Sequence, residues 1–176
     1  MRATAAVLLA GGLLGLVAPP AATPSSLTVF RIDHVADGDT VDLTNGAKIR
    51  LVQIDTPEVY FSPECYGRQA SNLTKRLLPP GTLVRLTREP ATDAVDRYGR
   101  LLRYVVRVED GLNVNVQLVR AGAAAPYFYD GRRGRYALLL ERLTRRARAR
   151  HLGLWGACPG TPYAPDRGVA TGPLRP

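Results

Sequence analysis

Two alternating runs meet at Asn45-Gly46, and this dipeptide narrows the possible folds more than any other feature of the 176-residue chain. Both residues accept the positive φ of a tight type I′ turn, whose twist suits a pair of antiparallel strands. Before the turn, Val41 and Leu43 share one face of a short strand, because side chains alternate along an extended backbone. After it, residues 49–54 form a second run that carries Arg50 and leads into Asp55-Thr56-Pro57-Glu58. Pro57 has no N–H to give a sheet ladder, so the strand is expected to stop there. An antiparallel hairpin sets the start of one strand beside the end of the other. Asp39 and Asp55 are therefore predicted to meet at one end of the sheet, with Arg50 between them.

The remaining elements follow from period and punctuation. Residues 27–35 are rich in β-branched and aromatic types and make a first strand ahead of the hairpin. Residues 66–78 place Ala70, Leu73, Leu77 and Leu78 at helical spacing, and Pro79-Pro80-Gly81 ends that helix. Residues 83–88 and 101–108 alternate as strands, with a polar loop between them. A short helix over 114–121 stops at Gly122, residues 123–130 look irregular, and a long helix over 133–152 buries Tyr136, Leu140, Leu143 and Ala147. Five strands, with one helix between the third and fourth and two after the fifth, give an α+β class. The order is that of a five-stranded OB-fold β-barrel capped by three helices.

The ends of the chain differ from its body. Residues 1–23 begin Met1-Arg2, continue through an apolar, small-residue run and reach a Pro/Ala-rich stretch, the pattern of a secretory signal peptide. An uncleaved anchor is the competing reading, but the apolar run is short for a bilayer span. After cleavage no stable membrane association is expected. Residues 27–158 make the folded domain, and the Pro/Gly-rich, apolar-poor residues 159–176 are expected to be a disordered tail. In an exported chain the two cysteines, Cys65 and Cys158, suggest a disulfide, with two free thiols as the alternative. Neither has the neighbours of a zinc site. Net charge is +9, from 24 Lys and Arg against 15 Asp and Glu, which favours a polyanionic partner such as nucleic acid. The arginines crowding the last helix have a plainer role as its solvated faces.

The hairpin mouth is where chemistry concentrates. Two carboxylates at one sheet end repel unless a proton or cation lies between them, and hard oxygen donors favour Ca²⁺ or Mg²⁺. Asp39 and Asp55 are candidate ligands, with the Thr56 carbonyl as a third; ordinary turn formation would explain the same residues. Arg50 and Arg100 each offer a planar fork matched to phosphate oxygens, against the alternative of pairing with a nearby carboxylate. Glu58 follows the proline turn and is a candidate base for an attacking water, or else an exposed loop acid. Tyr98, Tyr127 and Tyr129 could stack bases or pack at a barrel rim. His34 and His151 are isolated, and neither is assigned a catalytic role.

These residues stand in a familiar order. The sequence resembles the staphylococcal nuclease (thermonuclease) family at Asp37-Gly38-Asp39-Thr40-Val41, at Arg50-Leu51 through Ile54-Asp55-Thr56-Pro57-Glu58, at Tyr66-Gly67, at Asp96-Arg97-Tyr98-Gly99-Arg100, over residues 115–122, and at Gly153-Leu154-Trp155. The resemblance implies an OB-fold enzyme that hydrolyses DNA and RNA with Ca²⁺ and leaves 3′-phosphates. It implies that Asp39, Asp55 and the Thr56 carbonyl hold calcium, that Arg50 and Arg100 stabilise the phosphate, and that Glu58 activates water. It also places Arg97, Tyr98, Leu102, Tyr127 and Tyr129 at the nucleotide site. Between Glu58 and Tyr66 the chain is shorter than the family's founding member and has no lysine, and the cysteine pair is also absent there. The expectation is a secreted, monomeric nuclease. A secreted OB-fold module that binds nucleic acid without cutting it is the alternative, and the feature that separates the two is that this sequence retains the acidic and arginine positions.

Overall fold

The computed structural model describes residues 28–172, so the proposed signal peptide lies outside the described residues. The barrel strands are β1 (Val29–Val35), β2 (Thr40–Leu43) and β3 (Lys48–Leu51), followed after helix α1 (Gly67–Leu77) by β5 (Leu83–Arg88) and β6 (Leu101–Arg107). Strand β4 (Ile54–Asp55) stands apart from the barrel, between β3 and α1. The barrel closes in the order β1-β2-β3-β6-β5, with β5 returning to β1. Only β3 and β6 run parallel, and their register sets Arg50 beside Leu102. Helices α2 (Val114–Arg120), α3 (Ala137–Ala149) and α4 (Leu154–Ala157) complete the order. Among the described residues no helix is long and apolar enough to cross a membrane.

The chain does reverse at Asn45-Gly46, but not as a type I′ turn: only Gly46 takes a positive φ (+83°), its N–H closing back on the Leu43 carbonyl at 2.8 Å, and β2 and β3 pair with Thr40 opposite Arg50. Ile32, Val41, Ile49, Leu51, Val84 and Val105 point inward and are fully buried. Each such side chain contributes roughly 1.5–3 kcal/mol relative to exposure, so the barrel carries much of the fold's stability. Leu118, Val119, Leu140 and Leu143 join the same core from the helices. A second apolar cluster of Ala125, Ala147, Leu154, Trp155, Cys158 and Val169 lies against it.

Four further expectations need correction. The run over 49–54 is not one strand: Gln53 adopts φ +66°, the chain turns, and β4 pairs instead with β7 (Ala125–Pro126) in a separate two-stranded ribbon. The stretch over 123–130 is thus partly a strand, followed by a 3-10 turn at Tyr129–Gly131. The last long helix is shorter at both ends than 133–152, and α4 makes a fourth helix, because Gly153 at φ +58° redirects the chain between them. Residues 159–172 are not a detached tail. Val169 is buried at 8% exposure, and Phe128 donates its N–H to the Pro165 carbonyl at 2.6 Å. Backbone hydrogen bonds, which composition does not report, hold this segment down.

Candidate active site

The β2–β3 pairing and the turn into β4 bring Asp39, Arg50 and Asp55 together. Arg50 Nη2 lies 3.0 Å from Asp39 Oδ2 and 2.6 Å from Asp55 Oδ1. Its Nη1 donates to the carbonyls of Leu51 at 2.9 Å and Ile54 at 2.8 Å. The expected meeting of the two aspartates is therefore present, and the guanidinium fills the space between them. Asp39 Oδ2 also accepts the Thr56 N–H at 2.9 Å and the Thr56 hydroxyl at 3.1 Å. The turn ahead of Asp39 is clamped from α1, where the Thr74 hydroxyl donates to the Gly38 carbonyl at 2.6 Å. Gly38 has no room for a side chain, since a Cβ there would sit 2.4 Å from Thr56 Oγ1.

Charge at this cluster is unbalanced. Asp39 is 6% exposed, and burial pushes its carboxyl up to about 7; Arg50 opposes the rise, while Asp37 and Asp55 add to it. Burial works against the Arg50 cation, but Asp39, Asp55, Asp37 and Glu58 outweigh it and hold the guanidinium more firmly charged. Several acids thus share one arginine, an arrangement that favours a further cation. Since a single nitrogen already reaches both aspartates, one ion can be touched by both, and carboxylate oxygens suit a hard divalent cation. The residues fit such an ion. Among the described residues no group of three or more His, Cys, Asp or Glu side chains gathers as a metal centre, so carbonyls or water would complete the shell.

Glu58 stands beside this cluster and is open to solvent on its outer side. Partial desolvation, then Asp37, Asp55 and Glu64, push its carboxyl above the ordinary value against the pull of Arg50. Its backbone is tied down: the N–H donates to Glu64 Oε2 at 3.0 Å, and the carbonyl accepts the Glu64 N–H at 2.9 Å. Gly67 opens α1 where a Cβ would meet the Glu58 carbonyl at 2.2 Å, so only glycine lets the two segments pass. The short lysine-free loop is pinned as well, with the Tyr60 hydroxyl donating to the Ala36 carbonyl at 3.1 Å.

Arg100 enters β6 held by Asp96, whose Oδ2 accepts Nε–H at 2.7 Å. Its Nη1 donates to Thr40 Oγ1 at 3.2 Å, one residue from Asp39. Arg50 and Arg100 line one cavity of about 400 Å³ together with Arg97, Tyr98, Leu102, Tyr127 and Tyr129, every position assigned from the sequence to nucleotide contact. Tyr98 is 66% exposed with the Arg97 guanidinium 4.7 Å over its ring, and Tyr127 and Tyr129 meet edge to face. Asp39, Asp55, Thr56 and Glu58 are not part of that lining; Arg50 belongs to both groups.

Two residues escaped the sequence reading. Gln53, 4% exposed, donates from Nε2 to the Arg132 carbonyl at 2.8 Å and accepts the Gly134 N–H at 2.7 Å, while its own carbonyl takes the Tyr127 N–H. It fixes the wall that carries the tyrosines. Glutamine has no turn preference, so its positive φ left no signal. Arg132 also lines the cavity, paired with Asp93 at 3.0 Å; the sequence counts it among the solvated arginines of the last helix, but it lies ahead of α3.

A closed five-stranded barrel with buried acids, two arginines and a tyrosine-lined cleft at its rim defines an OB-type protein with a polar ligand site. A family model described as staphylococcal nuclease homologue matches residues 48–157, and the chain belongs to that family. It is 32% identical over 132 residues to the Thermonuclease of Staphylococcus intermedius, covering 72% of this chain and 75% of that protein. It is 38% identical over 128 residues to an uncharacterized endonuclease of Escherichia coli O157:H7, covering 71% and 75%. The Endonuclease YhcR of Bacillus subtilis is 39% identical over 109 residues, which are 55% of this chain and only 9% of that protein.

Proposed function

We propose that the protein is a secreted, monomeric, Ca²⁺-dependent nuclease that hydrolyses DNA and RNA phosphodiesters to 3′-phosphate products. The observation that carries this reading is the position of Arg50, within hydrogen-bond distance of both Asp39 and Asp55 and on the wall of the cleft that holds Arg100. Nuclease names among the relatives support it, and the apolar N-terminal run and the cysteine pair support export.

Asp39, Asp55 and the Thr56 carbonyl would hold calcium, which supplies a hard positive charge beside the reacting phosphate. Arg50 and Arg100 present guanidinium forks to the phosphate oxygens and stabilise the charge that grows on them. Asp96 sets the angle of the Arg100 fork. Glu58, its carboxyl raised above the ordinary value by partial desolvation, takes a proton from water as the water attacks phosphorus. The bond to the 5′-oxygen breaks, that oxygen leaves with the electron pair and takes a proton from solvent, and the phosphate stays on the 3′-oxygen. Tyr98, Tyr127 and Tyr129 supply flat faces for bases, and Arg97 and Leu102 complete the cleft.

The test is cleavage of single-stranded DNA by the purified protein with Ca²⁺ and with chelator, the product ends being typed. Calcium-dependent cleavage to 3′-phosphates is expected. Glu58→Gln and Arg100→Ala should each lower kcat by about a hundredfold or more, with the thermal transition retained. Tight binding without cleavage would favour the non-catalytic module, and near-normal turnover by folded Arg100→Ala would remove the role given to that residue.

A further inference from the structure

Asp55 is held from behind by a segment that begins beyond the last helix. Its Oδ1 faces Arg50, while Oδ2 accepts the N–H of Val169 at 2.8 Å. The backbone of Gly168 passes so close that a Cβ there would lie 2.5 Å from Asp55 Oδ2, and Gly168 has φ +78°, a conformation that favours glycine. Val169 buries its side chain beside Ala125 and Trp155, which fixes the height of its N–H over the carboxylate.

Both ends of this segment are fastened. It follows Cys158, which is joined to Cys65, and Gly172 returns to Cys65 by accepting its N–H at 2.9 Å. The Thr171 hydroxyl donates to the Cys65 carbonyl at 2.7 Å, and the Pro165 carbonyl takes the Phe128 N–H. An isolated bridge between Ala164 and Gly168 narrows the intervening turn. Residues 158–172 lie past the span matched by the family model.

We propose that residues 163–172 form a strap that positions Asp55 for cation binding, with the Val169 N–H and the side-chain-free Gly168 as its working parts. This rests on the calcium-dependent reading above and extends it to residues that touch neither substrate nor metal. Strand β4 is only two residues long, so its own ladder fixes Asp55 poorly. A carboxylate pinned through Oδ2 presents Oδ1 in one orientation. Without the strap the ligand must be ordered when the ion arrives, and affinity falls. Outer partners of metal-binding carboxylates act in this way.

The experiment uses the full chain and three substitutions. Val169→Pro removes the N–H, Gly168→Ala drives a methyl against Oδ2, and Val169→Ile keeps both the N–H and the buried β-branched side chain as the control. Calcium chloride is titrated by calorimetry, with cleavage measured against calcium concentration and thermal unfolding alongside. Val169→Pro and Gly168→Ala should raise half-saturating calcium by about tenfold to a hundredfold. Their kcat at saturating calcium should stay close to that of the wild type, and Val169→Ile should bind calcium as the wild type does. A merely structural segment would lower the melting temperature and leave calcium affinity alone. Folded variants that titrate like the wild type overturn the strap and leave the nuclease reading standing. A wild type that takes up no calcium overturns both. If neither disruptive variant folds, the segment is a folding element and the positioning role is rejected.

Discussion

Burial strips water from the Asp39 carboxylate while Asp37 and Asp55 lie near enough to raise its proton affinity further, and Arg50 and the Thr56 N–H oppose them. In the unfolded chain the group titrates at its ordinary 3.8; in the folded protein it titrates at about 7. A raised carboxyl stabilises the fold fully below the unfolded value and loses that contribution as pH rises through the folded value. Without calcium, stability should therefore fall between pH 4 and pH 7. Glu58 and Glu64 are raised as well and add slope of the same sign, so a difference is needed to isolate Asp39. Thermal melts in chelator across that range should fall more steeply for the wild type than for Asp39→Asn. Calcium competes with the same proton, so its affinity should rise by about tenfold per pH unit below 7 and level off above. Equal slopes for the two proteins would show that Asp39 stays ionised throughout. The arginine between the aspartates also shows what residue types alone could not decide. Phosphate fork and carboxylate partner were both open for Arg50, and the structure seats it on the carboxylates while leaving it on the cleft wall.

At the scale of elements, the hairpin, the barrel strands and the main helices were legible because each leaves a period or a stop signal in the sequence. The β4–β7 ribbon left none. Two residues per strand show no alternation, and the turn that creates it depends on Gln53 at φ +66°, a residue type with no preference for that region. The segment over 159–172 was missed for a related reason: it is held by backbone N–H and carbonyl groups and by one buried valine, none of which composition reveals. The nearness of Asp39 and Arg50 was legible, because their spacing around the Asn45-Gly46 turn sets them at one end of the hairpin; Asp55 reaches the same place through the turn at Gln53. What supports them was not. Gln53 joins these threads, since its amide ties β4's approach to residues 132–134 and so to the tyrosine wall. Gln53→Ala should cost about 1–3 kcal/mol for two buried hydrogen bonds. That is a fall of roughly 3–10 °C in Tm at this chain length. With Tyr127 and Tyr129 less firmly placed, KM for single-stranded DNA should rise while kcat changes little. A fall in kcat at constant KM would instead place Gln53 in support of the reacting groups.

Across the whole molecule, one covalent link spans nearly everything that follows the acidic hairpin. Cys65 precedes α1, Cys158 follows α4, and the stretch between them, a sequence separation of 93, includes two barrel strands and the whole of the helical layer. Closing so long a loop removes many conformations from the unfolded chain, worth about 4–5 kcal/mol by chain entropy and about 2–5 kcal/mol in typical removals. The same link anchors the strap behind Asp55, because Cys65 hydrogen-bonds Thr171 and Gly172 through its backbone. Stability and calcium affinity are therefore expected to fall together when the link is lost. The double variant Cys65→Ser, Cys158→Ser should melt roughly 5–20 °C lower than the wild type in oxidising buffer. Dithiothreitol should bring the wild type down to the same temperature and leave the variant unmoved. Calcium titrated into the folded variant well below its melting point should bind more weakly, in the direction expected for Gly168→Ala. A variant that melts low but binds calcium normally would separate the two roles, leaving the disulfide as a staple of the fold and the strap anchored by Val169 and its backbone partners alone.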